Sequence, residues 1–148
     1  MAESVAMSDD ECERLLRGNV VGRVALSTPD GPHLVPVNSA VVDDALEVRT
    51  SPYSVLGTNG RDAVLAFEVD HVDHANQHGW SVVVRGRAEV VTGTDDLEHI
   101  RAQWAPRPWA SGARTLVLRI PLSELTGRRL GAGWSTEQDS PVMRRLTT

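Results

Sequence analysis

Three strand-like runs follow one another between Asn19 and Thr50 with nothing but turns between them. Asn19 to Thr28 is rich in Val, Pro29-Asp30-Gly31-Pro32 makes a turn, His33 to Val42 is a second run ending at Asp43-Asp44, and Ala45 to Thr50 is a third. Runs of this kind bounded by Gly, Pro and Asp read as hairpins. Strands joined so tightly pair antiparallel, because a parallel pair needs a crossover of about a dozen residues or more. Ala63 to Asp70 adds a fourth run. From Trp80 to Val91 the residues alternate, with Val82, Val84, Gly86, Ala88 and Val90 on one face and Val83, Arg85, Arg87, Glu89 and Val91 on the other. Thr115 to Ile120 is the last. Roughly six antiparallel strands in consecutive runs, with two or three short helices, predict a mainly β fold: a small barrel with peripheral helices. The 148 residues are expected to form one domain, 1–148.

The helices carry their own signals. Ser8-Asp9-Asp10-Glu11 is a capping box, after which Cys12, Leu15 and Leu16 give an apolar face until Gly18. Thr94-Asp95-Asp96 opens a second helix with Leu97, Ile100 and Trp104 at helical spacing, which Pro106-Arg107-Pro108 ends. Beyond Pro121 the segment Leu122 to Thr148, with its pairs Arg128-Arg129 and Arg144-Arg145, reads as an increasingly disordered tail, flexible from about residue 131.

Composition excludes several chemistries. The formal net charge of −5 argues against broad attraction to nucleic acid or an anionic membrane. No apolar run reaches membrane-spanning length and the N-terminus lacks a secretory pattern, so a cytoplasmic location is expected. All fifteen basic residues are Arg. A lysine Schiff base and a P-loop lysine are therefore both absent, and any anion must be held by Arg, hydroxyls or backbone N–H groups. The single cysteine, Cys12, precludes an intrachain disulfide and falls on the apolar side of the first helix. Neither a G-x-G-x-x-G nor a G-x-S-x-G motif occurs.

The junction Glu47-Val48-Arg49-Thr50-Ser51-Pro52-Tyr53-Ser54 is the candidate anion site. Ser51 and Pro52 read as the start of a short helix, Tyr53 to Leu56, and Arg49, Thr50, Ser51 and Ser54 supply donors suited to phosphate. Taken alone, the same residues also suit a plain cap beside a solvated arginine.

Three segments together resemble the pyridoxamine 5′-phosphate oxidase-like family of flavin-binding split β-barrels. They are Asn19-Val20-Val21-Gly22-Arg23-Val24-Ala25 through Gly31-Pro32-His33-Leu34-Val35-Pro36-Val37-Asn38, then Glu47 to Pro52, then Gly79-Trp80-Ser81-Val82-Val83-Val84-Arg85-Gly86-Arg87-Ala88. The resemblance spans about Ser8 to Arg129. It implies a homodimer with cofactor grooves at the subunit interface and an FMN-dependent oxidoreductase that exchanges a hydride with a small substrate. Val35, Pro36, Val37 and Asn38 would line the flavin ring, Arg49, Thr50, Ser51 and Ser54 would hold its phosphate, Trp80 and Ser81 would approach the ring, and Arg128 and Arg129 match the family's arginine-bearing C-terminal segment. Similar chains often place a lysine just after the junction's serine, where Val55 stands here; a missing cation there costs phosphate binding about 1.5–3 kcal/mol. Two alternatives stay open: a reductase using the deazaflavin coenzyme F-420, and a non-catalytic flavin-binding module.

His71, His74 and His78 would share a face if their segment were helical, and with neighbouring carboxylates they would suit zinc or iron. A polar hairpin loop is the simpler account, so no metal is expected. Trp104 is expected in the core, whereas Trp80, Trp109 and Trp134 are candidates to pack against a flat ligand.

Overall fold

The computed structural model describes residues 4–104 and 115–131. Its elements are β1 (Ser4–Ala6), α1 (Asp9–Arg17), β2 (Val21–Thr28), β3 (Gly31–Val42), β4 (Ala45–Thr50), α2 (Val55–Asn59), β5 (Val64–Asp73), β6 (His78–Arg87), β7 (Glu89–Val90), α3 (Thr94–Gln103), β8 (Leu116–Pro121) and β9 (Leu125–Leu130). The nine strands form one antiparallel sheet in the order β1-β9-β6-β5-β2-β3-β4-β8-β7. The meander expected from the sequence is its centre: Val24 faces Val35 across β2 and β3, and Asn38 faces Arg49 across β3 and β4.

Residues opposite one another in an antiparallel pair share a face, so the register assigns every side chain. One face carries Val24, Val37, Leu46, Val48, Phe67, Val69, Val82, Val84, Leu118 and Ile120, all buried in one cluster. The sheet coils around this cluster without closing into a hydrogen-bonded barrel. Gly86 on β6 meets β8 across it: a Cβ there would stand 3.3 Å from Ile120 Cγ2. The other face is divided. Over β3, β4 and β8 it is covered by α3, where Val42, Val91, Ile100 and Val117 form a second cluster with Ala40, Leu97 and Trp104 packed against it. Over β2, β5 and β6 it is partly exposed, and Arg23 there reaches Glu68 at 2.7 Å and Asp70 at 2.8 Å.

Nine strands rather than six changes the reading of both ends. The Leu122 to Thr148 tail begins as a strand: β9 pairs with β6 along its whole length and with β1 on its other side. Its inward face carries Gly127, against which Met7 and Cys12 pack so closely that a Cβ would lie 2.5 Å from each. A glycine contributes no hydrophobic signal, and Arg128 and Arg129 read as solvated, so the pattern was hidden. The expected long run from Trp80 to Val91 also divides, into β6 and β7. Ala88 breaks it by donating its N–H to the carbonyl of Ala63 at 2.8 Å. Residues 132–148 lie outside the described residues.

Helix α1 forms as its capping box predicts. Glu11 N–H donates to Ser8 Oγ at 3.3 Å and Ser8 N–H donates to Glu11 Oε2 at 3.1 Å. Cys12, Leu15 and Leu16 are buried beneath it. Glu11 also accepts from Arg129 Nη1 at 3.0 Å, joining α1 to β9. The Ser8 N–H, followed by Arg129, holds the Glu11 carboxyl below its ordinary value of 4.5. A depressed carboxylate pKa gives stabilisation that is present above that ordinary value and lost as pH falls through the depressed one. Glu11→Gln is therefore expected to lower the thermal midpoint at pH 7 by about 2–4 °C, in line with loss of about 1 kcal/mol of capping. The gap between variant and wild type should narrow on acidification to pH 3; a constant gap would assign Glu11 a role independent of its charge.

Candidate functional site

Arg49 lies near the end of β4, on the face covered by α3, and is only 8% exposed. Its Nη2 donates to the carbonyl of Trp104 at 2.8 Å, and its guanidinium carbon stands 4.1 Å from the centre of the Trp104 ring. Among the described residues no carboxylate pairs with it. Burial, and then the like charge of Arg101, push its pKa below the ordinary arginine value. A buried cation without an anion is costly. The indole face and the Trp104 carbonyl offset part of that cost. Two residues earlier on the same face, Glu47 is fully buried and accepts from Arg119 Nε at 2.7 Å, while its Oε2 has no hydrogen-bond partner. Burial dominates, so the Glu47 carboxyl is pushed up despite its arginine.

The hydroxyls of the junction are occupied by the turn itself. Ser54 Oγ donates to the Ser51 carbonyl at 2.8 Å and accepts from Gly57 N–H at 2.9 Å. With its one proton so used, it accepts from Thr50 Oγ1 at 2.7 Å. Ser51 Oγ accepts from Tyr53 N–H at 3.3 Å. The helix expected over Tyr53 to Leu56 is shifted: α2 begins at Val55 and Ser54, not Ser51, is its N-cap. Gly57 decides the shift. A Cβ at that position would lie 2.1 Å from the Ser51 carbonyl oxygen, so this close approach needs glycine. Arg49 and Thr50 point to opposite faces of β4.

The remaining expected residues form two groups. Asn38 is the direct cross-strand partner of Arg49, and Pro36 follows on the same face opposite Arg23, whereas Val35 and Val37 turn toward the core. Trp80, Ser81, Arg128 and Arg129 sit on β6 and β9, with β5 and β2 between them and β3. Ser81 faces Arg128, and Arg128 Nη1 donates to Ser4 Oγ at 3.1 Å. Arg129 is tied to Glu11. Trp80, expected as a surface for a flat ring, is 2% exposed and belongs to the core, because it shares the parity of Val82 and Val84. Trp104, expected in the core, packs half-buried against the second cluster and also covers Arg49. Trp109 and Trp134 lie outside the described residues. A shallow depression of about 390 Å³, lined by Glu13, Asp44, Pro121, Leu122 and Ser123, includes none of the expected site residues.

The histidine segment is not helical. His71 lies in β5 opposite Trp80, His78 begins β6 opposite Asp73, and His74 is in the turn between them. Among the described residues no three His, Cys, Asp or Glu side chains are grouped to hold a metal ion. None of the described helices is long and apolar enough to cross a membrane.

A family model described as pyridoxamine 5′-phosphate oxidase matches residues 8–129, and the chain belongs to that family. It is 36% identical over 135 residues, 88% of each chain, to an uncharacterized protein of Mycobacterium tuberculosis. Among solved structures it is similar to the FAD binding protein from Mycobacterium smegmatis, with a TM-score of 0.72 and 29% identity, covering 86% of this chain and 99% of that one. It is similar also to a conserved protein of unknown function from Corynebacterium diphtheriae, with a TM-score of 0.69 and 25% identity, covering 87% of this chain and 98% of that one.

Proposed function

We propose that this protein is a flavin-dependent oxidoreductase of the cytoplasm whose cofactor phosphate is held by Arg49. The observation that carries the reading is the Arg49 guanidinium, buried, repelled by the like charge of Arg101 and lacking a carboxylate among the described residues. Such a group favours an anion brought by a ligand, and a phosphate takes an arginine fork bidentately. Asn38, directly across the strand pair, adds an amide beside it. The family membership and the FAD-binding description of the M. smegmatis neighbour support a flavin. A bound flavin supplies hydride transfer to or from a small substrate, while the protein binds and orients it.

Trp80, Ser81, Arg128 and Arg129, on β6 and β9, are separated in the sheet from Arg49 on β4 by β5, β2 and β3. That division favours a cofactor groove assembled from two copies of the chain, in which Ser81 and Arg128 of one copy meet Arg49 of the other, while Trp80 and Arg129 support each copy from within. FMN, a flavin that ends in a single phosphate, is the first candidate; FAD is second, from the neighbour named above. The test is a visible absorption spectrum of the purified protein, followed by titration with FMN, FAD and coenzyme F-420 and by sedimentation to determine the oligomeric state. Micromolar or tighter FMN or FAD uptake by a dimer is expected. Uptake of F-420 alone would overturn the flavin assignment. Arg49→Ala should weaken the cofactor about ten- to hundredfold, the loss of about 1.5–3 kcal/mol from a charge-assisted contact. An unchanged affinity would place the phosphate elsewhere.

A further inference from the structure

We propose that Arg101 is the second arginine of the phosphate site: with Arg49 it forms a two-arginine clamp for a doubly charged phosphate group. This rests on the reading of Arg49 as the phosphate-binding residue and names the group that shares its load.

Arg49 keeps an open edge. A guanidinium carries five N–H donors in one plane, and a ring stacked on it covers the face rather than the edge. Its one hydrogen bond among the described residues runs from Nη2 to the Trp104 carbonyl at 2.8 Å. Nε and Nη1 donate to nothing there, and neither is among the unpartnered side-chain atoms that the fold seals from solvent. Both therefore remain within reach of a ligand oxygen.

Arg101 is presented from a fixed support. Leu97, Ile100 and Trp104 pack α3 onto the second cluster, and His99 Nε2 stands 2.9 Å from Asp43 Oδ2. Arg101 follows Leu97 by four residues and precedes Trp104 by three, so it borders the side of α3 that covers Arg49. Its side chain is exposed, and among the described residues it makes no hydrogen bond or ion pair, not even with Glu98 one turn earlier. Its charge is near enough to Arg49 to push the pKa of that guanidinium down.

Other arginines of the sheet take carboxylates: Arg23 takes Glu68 and Asp70, Arg119 takes Glu47, and Arg129 takes Glu11. Arg49 and Arg101 instead repel each other, and neither has a carboxylate among the described residues. An anion held by both turns that repulsion into two attractions. A phosphate monoester brings about 1.5 to 2 negative charges near pH 7 and three acceptor oxygens, enough for both guanidinium forks.

The test is calorimetric titration of FMN, and of riboflavin, which lacks the phosphate, into the wild type, Arg101→Gln, Arg101→Lys and Arg49→Gln. Arg101→Gln should weaken FMN about tenfold, the loss of one charge-assisted contact, and leave riboflavin unchanged. Arg101→Lys keeps the charge and should retain most of the FMN affinity. Because Arg101 is exposed and unpaired, the thermal midpoint of Arg101→Gln without FMN should stay within about 2 °C of the wild type. If Arg49→Gln weakens FMN while Arg101→Gln binds it as the wild type does, or loses FMN and riboflavin alike, Arg101 is not a phosphate ligand and the Arg49 site stands. If Arg49→Gln changes nothing, or the wild type takes up no FMN, the phosphate site falls and the clamp with it.

Discussion

Arg119→Met is expected to destabilise the protein by about 3–5 kcal/mol, the usual result of removing one partner of a buried ion pair. The Glu47 carboxylate is buried in the second cluster, receives one hydrogen bond, from Arg119, and has no partner on its other oxygen. Without Arg119 only burial and the like charges of Asp96 and Asp43 remain to act on it. All three push its pKa up. A carboxyl whose folded pKa is raised contributes stability that is fully present below its unfolded value and lost as pH rises through the folded one. The loss in Arg119→Met should accordingly be larger at pH 8 than at pH 5, read by urea denaturation at both. An equal loss at the two pH values would show that Arg119 acts through packing. Replacing both members, Glu47→Leu with Arg119→Met, should recover most of the stability, because a buried pair exchanged for apolar groups is often neutral or better.

Phe67→Ala should cost about 3–5 kcal/mol, as do large-to-small changes at fully buried aromatics. Phe67 has no exposed surface and sits at the centre of the core. Its ring occupies the room that Gly22 leaves on β2: a Cβ at Gly22 would stand 2.2 Å from Phe67 Cζ and 2.7 Å from the Glu68 carbonyl. Gly22→Ala alone should therefore destabilise by about 1–3 kcal/mol through overpacking. In the Phe67→Ala background the ring clash is gone and only the backbone approach remains, so Gly22→Ala should cost less there. A double-mutant cycle measures the coupling. Additive losses would mean that Gly22 is required by the Glu68 backbone rather than by the ring.

The sequence carried the centre of the fold because β2 to β6 and β8 bury one face, and burial writes a period of two. It did not carry β9, whose inward residue Gly127 has no side chain, or β1, which is three residues long. At the site, Arg49 could be picked out from its place near the end of a strand and before a turn. What surrounds it was not legible. Glu47 and Arg49 alternate with Leu46 and Val48, the pattern of a strand with one wet face, and only the packing of α3 turns that face dry. One signal did point there: the Leu97, Ile100 and Trp104 stripe needs an apolar surface, and Ala40, Val42 and Val117 supply it beside Arg49. The capping box of α1 was legible to the residue because its signal is wholly local. Ser51 reads as the α2 cap because a serine before proline is a strong local signal, while the close approach at Gly57 that accompanies capping by Ser54 is three-dimensional.

The pairing of β1 with β9 has a consequence for synthesis. Ser4 and Arg128 are 124 positions apart, and Glu11 and Arg129 are 118 apart. As the chain leaves the ribosome, the meander can assemble early from neighbouring strands, but β1 has no edge to join until β9 has emerged and paired with β6. Of the described strands, β1 is made before the others and docks last. Until then α1 lacks the floor that Gly127 provides, and Cys12 and Met7 stay uncovered on a nascent domain that is otherwise built.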